Sequence, residues 1–130
     1  MKFKEFYVTD ENGKSNCVIR SFSKLYGMNY SDVYSELLEI SKENNLNFND
    51  IEVFEQFMER RNTTKEKYGE GIKVKDLKLD NNNYIVFCCD KKDFYHMVPV
   101  IDNVIYDKND DSLDLYTISV YKQKVLTKKK

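Results

Sequence analysis

What most constrains the fold is a change of period partway along the chain. From Cys17 to about Arg61 the apolar residues keep helical spacing, and from Tyr84 onward they fall into short β-branched and aromatic runs. Val18, Ile19, Phe22, Leu25 and Tyr26 form one helical stripe, with Asn16 as N-cap and Gly27 as the C-terminal stop. A second helix is expected over 31–43, capped by Asn29 or Ser31, with Val33, Tyr34, Leu37, Leu38 and Ser41 facing inward. A third, roughly over 50–61, carries the stripe Ile51, Phe54, Phe57 and Met58, with Val53 beside it. The polar stretch 62–71 holds two of the four glycines and reads as an exposed, mobile loop.

The second half reads as strands over 84–89, 94–101, 104–106 and 115–121, separated by turn residues. Ile101-Asp102-Asn103-Val104 has the pattern of a tight hairpin with Asp102 and Asn103 at its tip. Helices first and strands after predict an α+β domain, its N-terminal helices packed on one side of a C-terminal antiparallel sheet. Length allows one core: a single domain over 1–121 and a basic tail over 122–130.

Charge and cysteine usage narrow the function classes. The net charge of −1 argues against a general nucleic-acid binder, so no specific nucleic-acid partner is expected. The one cationic cluster, Lys122, Lys124, Lys128, Lys129 and Lys130, reads as a solvated end rather than a tether. No apolar run is long enough to cross a membrane. The alternating start Met1–Val8 lacks the apolar core of a signal peptide, so a cytoplasmic location is expected. Three cysteines, two of them adjacent, do not make a secreted disulfide framework.

Cys17 stands where a polar loop becomes a helix. A thiol on a first helical turn sits beside unpaired N–H groups and the positive end of the macrodipole, which favours thiolate. The chain's single histidine, His96, lies in a strand of the hairpin. With a two-residue turn Ile101 pairs with Val104, so Val98 faces Asp107 and His96 faces Asn109. His96 and Asp107 then share a face as diagonal neighbours, close enough for one imidazole nitrogen to meet the carboxylate. A slip of one residue would turn Asp107 away. Asp107 is preferred over Asn109 as the orienting group, and Asp102 ranks third because a hairpin tip points away from the cleft.

This order of residues resembles the papain-like cysteine peptidase fold: a capped loop ending in Cys17 on a helix, then His96 and Asp107 on neighbouring strands. Asn16-Cys17-Val18-Ile19-Arg20 and the segment from His96 to Asp107 resemble small papain-like proteins of bacteria and phages. The chain is more distantly similar to the peptidases that trim double-glycine leaders. The resemblance implies a Cys17 nucleophile, a His96 base and an orienting Asp107, acting on peptide or other amide bonds without a cofactor. Two departures stand out. Where such enzymes place an oxyanion-donating glutamine, this chain has Glu11, which cannot donate, and Asn12, which can; Asn16 is the other candidate. Where a small residue often precedes the histidine, it has Tyr95, which could crowd the cleft.

The remaining constellations read as structural. Cys88 and Cys89 leave opposite faces of a strand and cannot both reach one metal; with a single histidine, no metal site is expected. Asp107, Asn109 and Asp111 mimic the front of a calcium loop, but Ser112 replaces its glycine and Ile118 its glutamate. The many Phe and Tyr fall on core stripes. Two functions stay open: a cysteine peptidase, amidase or acyl transferase, and a catalytically lapsed scaffold that grips another protein, such as a phage antagonist of a host factor.

Overall fold

The computed structural model describes residues 1–124, so Lys128, Lys129 and Lys130 of the basic tail lie outside the described residues. The elements run β1 (Lys2–Glu5), α1 (Cys17–Tyr26), α2 (Tyr30–Glu43), α3 (Ile51–Glu59), β2 (Thr63–Lys65), β3 (Asn83–Cys89), β4 (Tyr95–Ile101), β5 (Val104–Asp107) and β6 (Tyr116–Gln123). The protein is α+β, with helices in the first half and most strands in the second, as the change of period predicts. Asn16, Asn29 and Asp50 cap the three helices, each side chain accepting a backbone N–H of the first turn. Gly27 ends α1 at φ 66, a left-handed conformation that glycine adopts without a Cβ penalty.

One six-stranded sheet, in the order β1-β5-β4-β3-β6-β2, forms the second layer. Every pairing is antiparallel except β1 with β5, which is parallel. The N-terminal strand thus joins an otherwise antiparallel sheet at its edge. The stretch 62–71 is not all loop: Thr63–Lys65 pairs with β6, and the buried Thr63 accepts a hydrogen bond from the Tyr26 hydroxyl at 2.6 Å. That strand is made by its partner's open edge, since Thr-Thr-Lys carries little apolar pattern of its own. β6 continues through Lys122, which pairs with Asp80 at 3.1 Å, so the strand runs past residue 121.

Two apolar clusters sandwich the sheet. On the helical side, Phe22, Leu25, Val33, Leu37, Val53 and Phe57 pack on Ile85, Met97 and Tyr121. Phe22 and Phe57 stack at 4.6 Å between ring centroids, joining α1 to α3. On the other side, Val86, Cys88, Val98, Val100, Ile105 and Val120 gather with Val74 and Leu77.

The hairpin β4–β5 turns as expected. Asp102 and Asn103 both have positive φ, 50 and 62, which is the mirror-image turn that matches strand twist, and Ile101 faces Val104. The ladder holds only two pairs, Ile101 with Val104 and Val100 with Ile105. Beyond them α1 takes over: the Ser21 hydroxyl donates to the Met97 carbonyl at 2.9 Å and is shared with the Cys17 carbonyl at 2.7 Å. A helix thereby satisfies a strand carbonyl, which brings its N-terminus level with His96.

Candidate active site

Cys17 is the first residue of α1, partly buried behind its cap. The Asn16 side-chain oxygen accepts from the Val18 and Ile19 N–H groups at 2.8 and 3.2 Å. The Cys17 N–H has no acceptor among the described residues, so a free backbone donor sits beside the sulfur. Burial alone pushes the thiol pKa up. The hydrogen bond and charge of His96, the Met97 backbone and Arg20 outweigh it, and the thiol lies below its ordinary 9.0.

His96 is buried on β4, and its Nε2 lies 2.8 Å from Oδ2 of Asp107, itself 2 % exposed on β5. Nε2 is thereby occupied, which leaves Nδ1 for the sulfur. Burial favours a neutral ring. The Asp107 hydrogen bond comes next in size, followed by the interaction with Cys17, and together they push the imidazole up to about 9. Burial likewise acts to raise Asp107, yet the bond and charge of His96 hold the carboxyl below its ordinary range. Carboxylate, imidazole and thiol are thus electrostatically coupled, with the imidazole held up and the thiol held down.

The other residues singled out in the sequence fall on either side of this line. Asn109 is exposed and accepts from the Asp111 N–H at 3.0 Å, well occupied away from the imidazole. Asp102 is exposed at the hairpin tip. Asn16 borders the cavity that holds Cys17 and His96, whereas Asn12 is exposed and borders only its neighbour. Tyr95 stands 59 % exposed and stacks on Phe87 at 5.9 Å, so it forms a wall of the cleft without plugging it. Phe94 stacks on the His96 ring at 5.6 Å. Cys88 is fully buried, its pKa raised by burial; Cys89 is partly exposed.

The pattern reading missed Arg20. It is 4 % exposed, with Nη2 3.1 Å from Oδ1 of Asp107 and Nη1 donating to Ser15 Oγ at 2.7 Å. The signal was its place three residues after Cys17, which puts a cation on the same side of the helix as the thiol, away from the apolar stripe.

Two cavities meet at Asn16. The smaller, about 310 Å³, contains Cys17 and His96 and is walled by Val18, Ile51, Phe54, Phe87, Tyr95 and Met97. The larger, about 890 Å³, lies between the loop before Cys17 and the start of α2, with Asp10, Glu11, Tyr30, Tyr34 and Phe48 on its walls. Among the described residues no cluster of three or more His, Cys, Asp or Glu is placed to hold a metal, and no helix is long and apolar enough to cross a membrane. In comparisons with known proteins the chain matches no family model, no curated protein and no solved structure.

Proposed function

We propose that this protein is a papain-like cysteine peptidase, amidase or acyl transferase that acts on a peptide or other amide through Cys17, His96 and Asp107, in the cytoplasm. The observation that carries the reading is the 2.8 Å contact of Asp107 with one nitrogen of the only histidine, while the thiol interacts with the same ring. In the reaction the Cys17 thiolate attacks the carbonyl carbon, and the resulting oxyanion faces the unpaired Cys17 N–H. His96, carrying the proton, gives it to the leaving amine as the C–N bond breaks, which leaves a thioester on Cys17. Water, or an amine in the transfer variant, then attacks the thioester while the neutral imidazole takes its proton. Three free thiols accord with a reducing compartment.

The apolar walls of the Cys17 cavity suit the side chain of a bound peptide. The test is a peptidyl chloromethyl ketone, which needs both a thiolate and an oriented backbone. A single adduct at Cys17, lost in His96→Ala, is the expected result. No adduct, or equal labelling of Cys17 and Cys89, would overturn it.

A second reading has one observation in its favour. Phe94 and Tyr95, the two residues before His96 in sequence, are 50 % and 59 % exposed, and Tyr34 and Ile51 beside the two cavities are exposed as well. Such a rim suits a scaffold that holds another protein, for which slow, unselective thiol labelling is the expected result.

A further inference from the structure

We infer that Arg20 is the positioning residue of this site: held by Ser15, its guanidinium pins one oxygen of Asp107 so that the other stays on the His96 ring. The inference gains its catalytic meaning from the Cys17–His96–Asp107 reading above, but its physical content stands on contacts of Arg20 alone. A carboxylate that meets a single partner can turn about its terminal torsion, which is broad. Here both oxygens are taken. Oδ1 accepts from Arg20 Nη2 at 3.1 Å and from the Lys108 N–H at 2.8 Å, and Oδ2 faces His96 Nε2 at 2.8 Å.

The other end of the guanidinium is equally fixed. Nη1 donates to Ser15 Oγ at 2.7 Å, and that hydroxyl donates to the Val8 carbonyl at 3.0 Å. Arg20 therefore ties the orienting carboxylate to the loop that leads into the nucleophile. A planar fork with two separated donors performs this task, and a lysine, with one nitrogen, does not.

Charge balance points the same way. With the thiolate–imidazolium pair formed, Asp107 would be an unmatched buried anion; Arg20, 4 % exposed, supplies the fourth charge and brings the set to neutrality. The titratable groups that act on the His96 ring are Cys17 from α1 and Asp107 from β5; Arg20 reaches it through Asp107, and the Cys88 thiol of β3 donates to the His96 carbonyl at 3.5 Å.

The chain's single histidine makes the test direct, because one imidazole resonance pair in a proton–nitrogen spectrum belongs to His96 alone. Its titration is followed in the unsubstituted protein and in Arg20→Gln, Arg20→Lys and Asp107→Asn. If Arg20 were only a nearby positive charge, its removal would raise the imidazole pKa. If it positions Asp107, removal leaves Oδ1 with the Lys108 N–H alone, loosens the carboxylate and lowers the pKa, in the same direction as Asp107→Asn. The expected result is a downward shift of about one unit in Arg20→Gln, a smaller one in Arg20→Lys, and no further shift when Arg20→Gln is added to Asp107→Asn. Arg20→Lys keeps a buried cation and so serves should the glutamine variant not fold. An upward shift or none in a folded variant overturns the inference. A merely structural arginine would change the melting temperature and leave the titration in place. Failure of the proposed activity would show separately, as an unreactive Cys17 in a protein whose His96 still responds to Arg20.

Discussion

At the scale of single residues, the site places three titrating groups, Cys17, His96 and Asp107, where burial opposes charge, and each is rescued by its neighbour. Stability should therefore carry the signature of their titration. His96 is raised to about 9, so its contribution is fully present below its ordinary 6.5 and is lost as pH rises through 9. Cys17 is lowered, so its contribution is present above its ordinary 9.0 and lost as pH falls through the depressed value. Between these limits the two slopes oppose each other, and the melting temperature of the protein should change little. Cys17→Ser removes the thiol's slope and leaves that of His96, reduced by the missing thiolate. Thermal melts of that variant should fall steadily from pH 6.5 upward, and should lose the slope when His96→Gln is added.

Those same residues show what a sequence can disclose about a site. Cys17 was legible because a helix cap and its first turn are local, written within Asn16 to Ile19. His96 and Asp107 were legible because a two-residue turn fixes register, and register fixes which side chains share a face. Arg20 was not. Its partner lies 87 positions away, and nothing in the helical pattern says that a cation off the apolar stripe will meet a carboxylate. Asn12 came before Asn16 as an oxyanion candidate in sequence; the shape of the loop leaves Asn12 outside the cavity that holds the thiol, which Asn16 borders.

At the scale of elements, the site depends on how α1 meets the hairpin. β4 and β5 pair at the turn and then part, and the carbonyl of Met97 is satisfied by Ser21 rather than by a strand. Ser21→Ala would leave that buried carbonyl without its partner, at a cost of about 1–3 kcal/mol. Urea denaturation should show that loss. The thiol should also alkylate more slowly in the folded variant, since the same bond sets the height of Cys17 against His96. A variant with unchanged stability would show that the helix is held by apolar packing alone. What the pattern missed, strand β2 and the partner of β1, shares a cause. β2 and the parallel pairing of β1 are edge pairings, decided by which backbone groups remain open on the sheet rather than by alternation within the segment.

At the scale of the whole molecule, the fold joins a helical half to a strand half, and the candidate site lies at their junction. Cys17 comes from the first helix and His96 and Asp107 from the β4–β5 hairpin, while the Phe22–Phe57 stack and the Met97 contact lock α1 between α3 and the sheet. The order of periods along the chain foretold this layering, because each period dictates an element with one apolar side that only the other layer can cover. The central claim is that this junction assembles a polarised thiol and imidazole. The most direct test is the rate of Cys17 alkylation by iodoacetamide from pH 5 to 10, resolved by peptide mass spectrometry from Cys88 and Cys89. The account predicts an apparent thiol pKa well below the ordinary 9.0, rising in His96→Ala. An apparent pKa at or above 9.0, unmoved by His96→Ala, would contradict it.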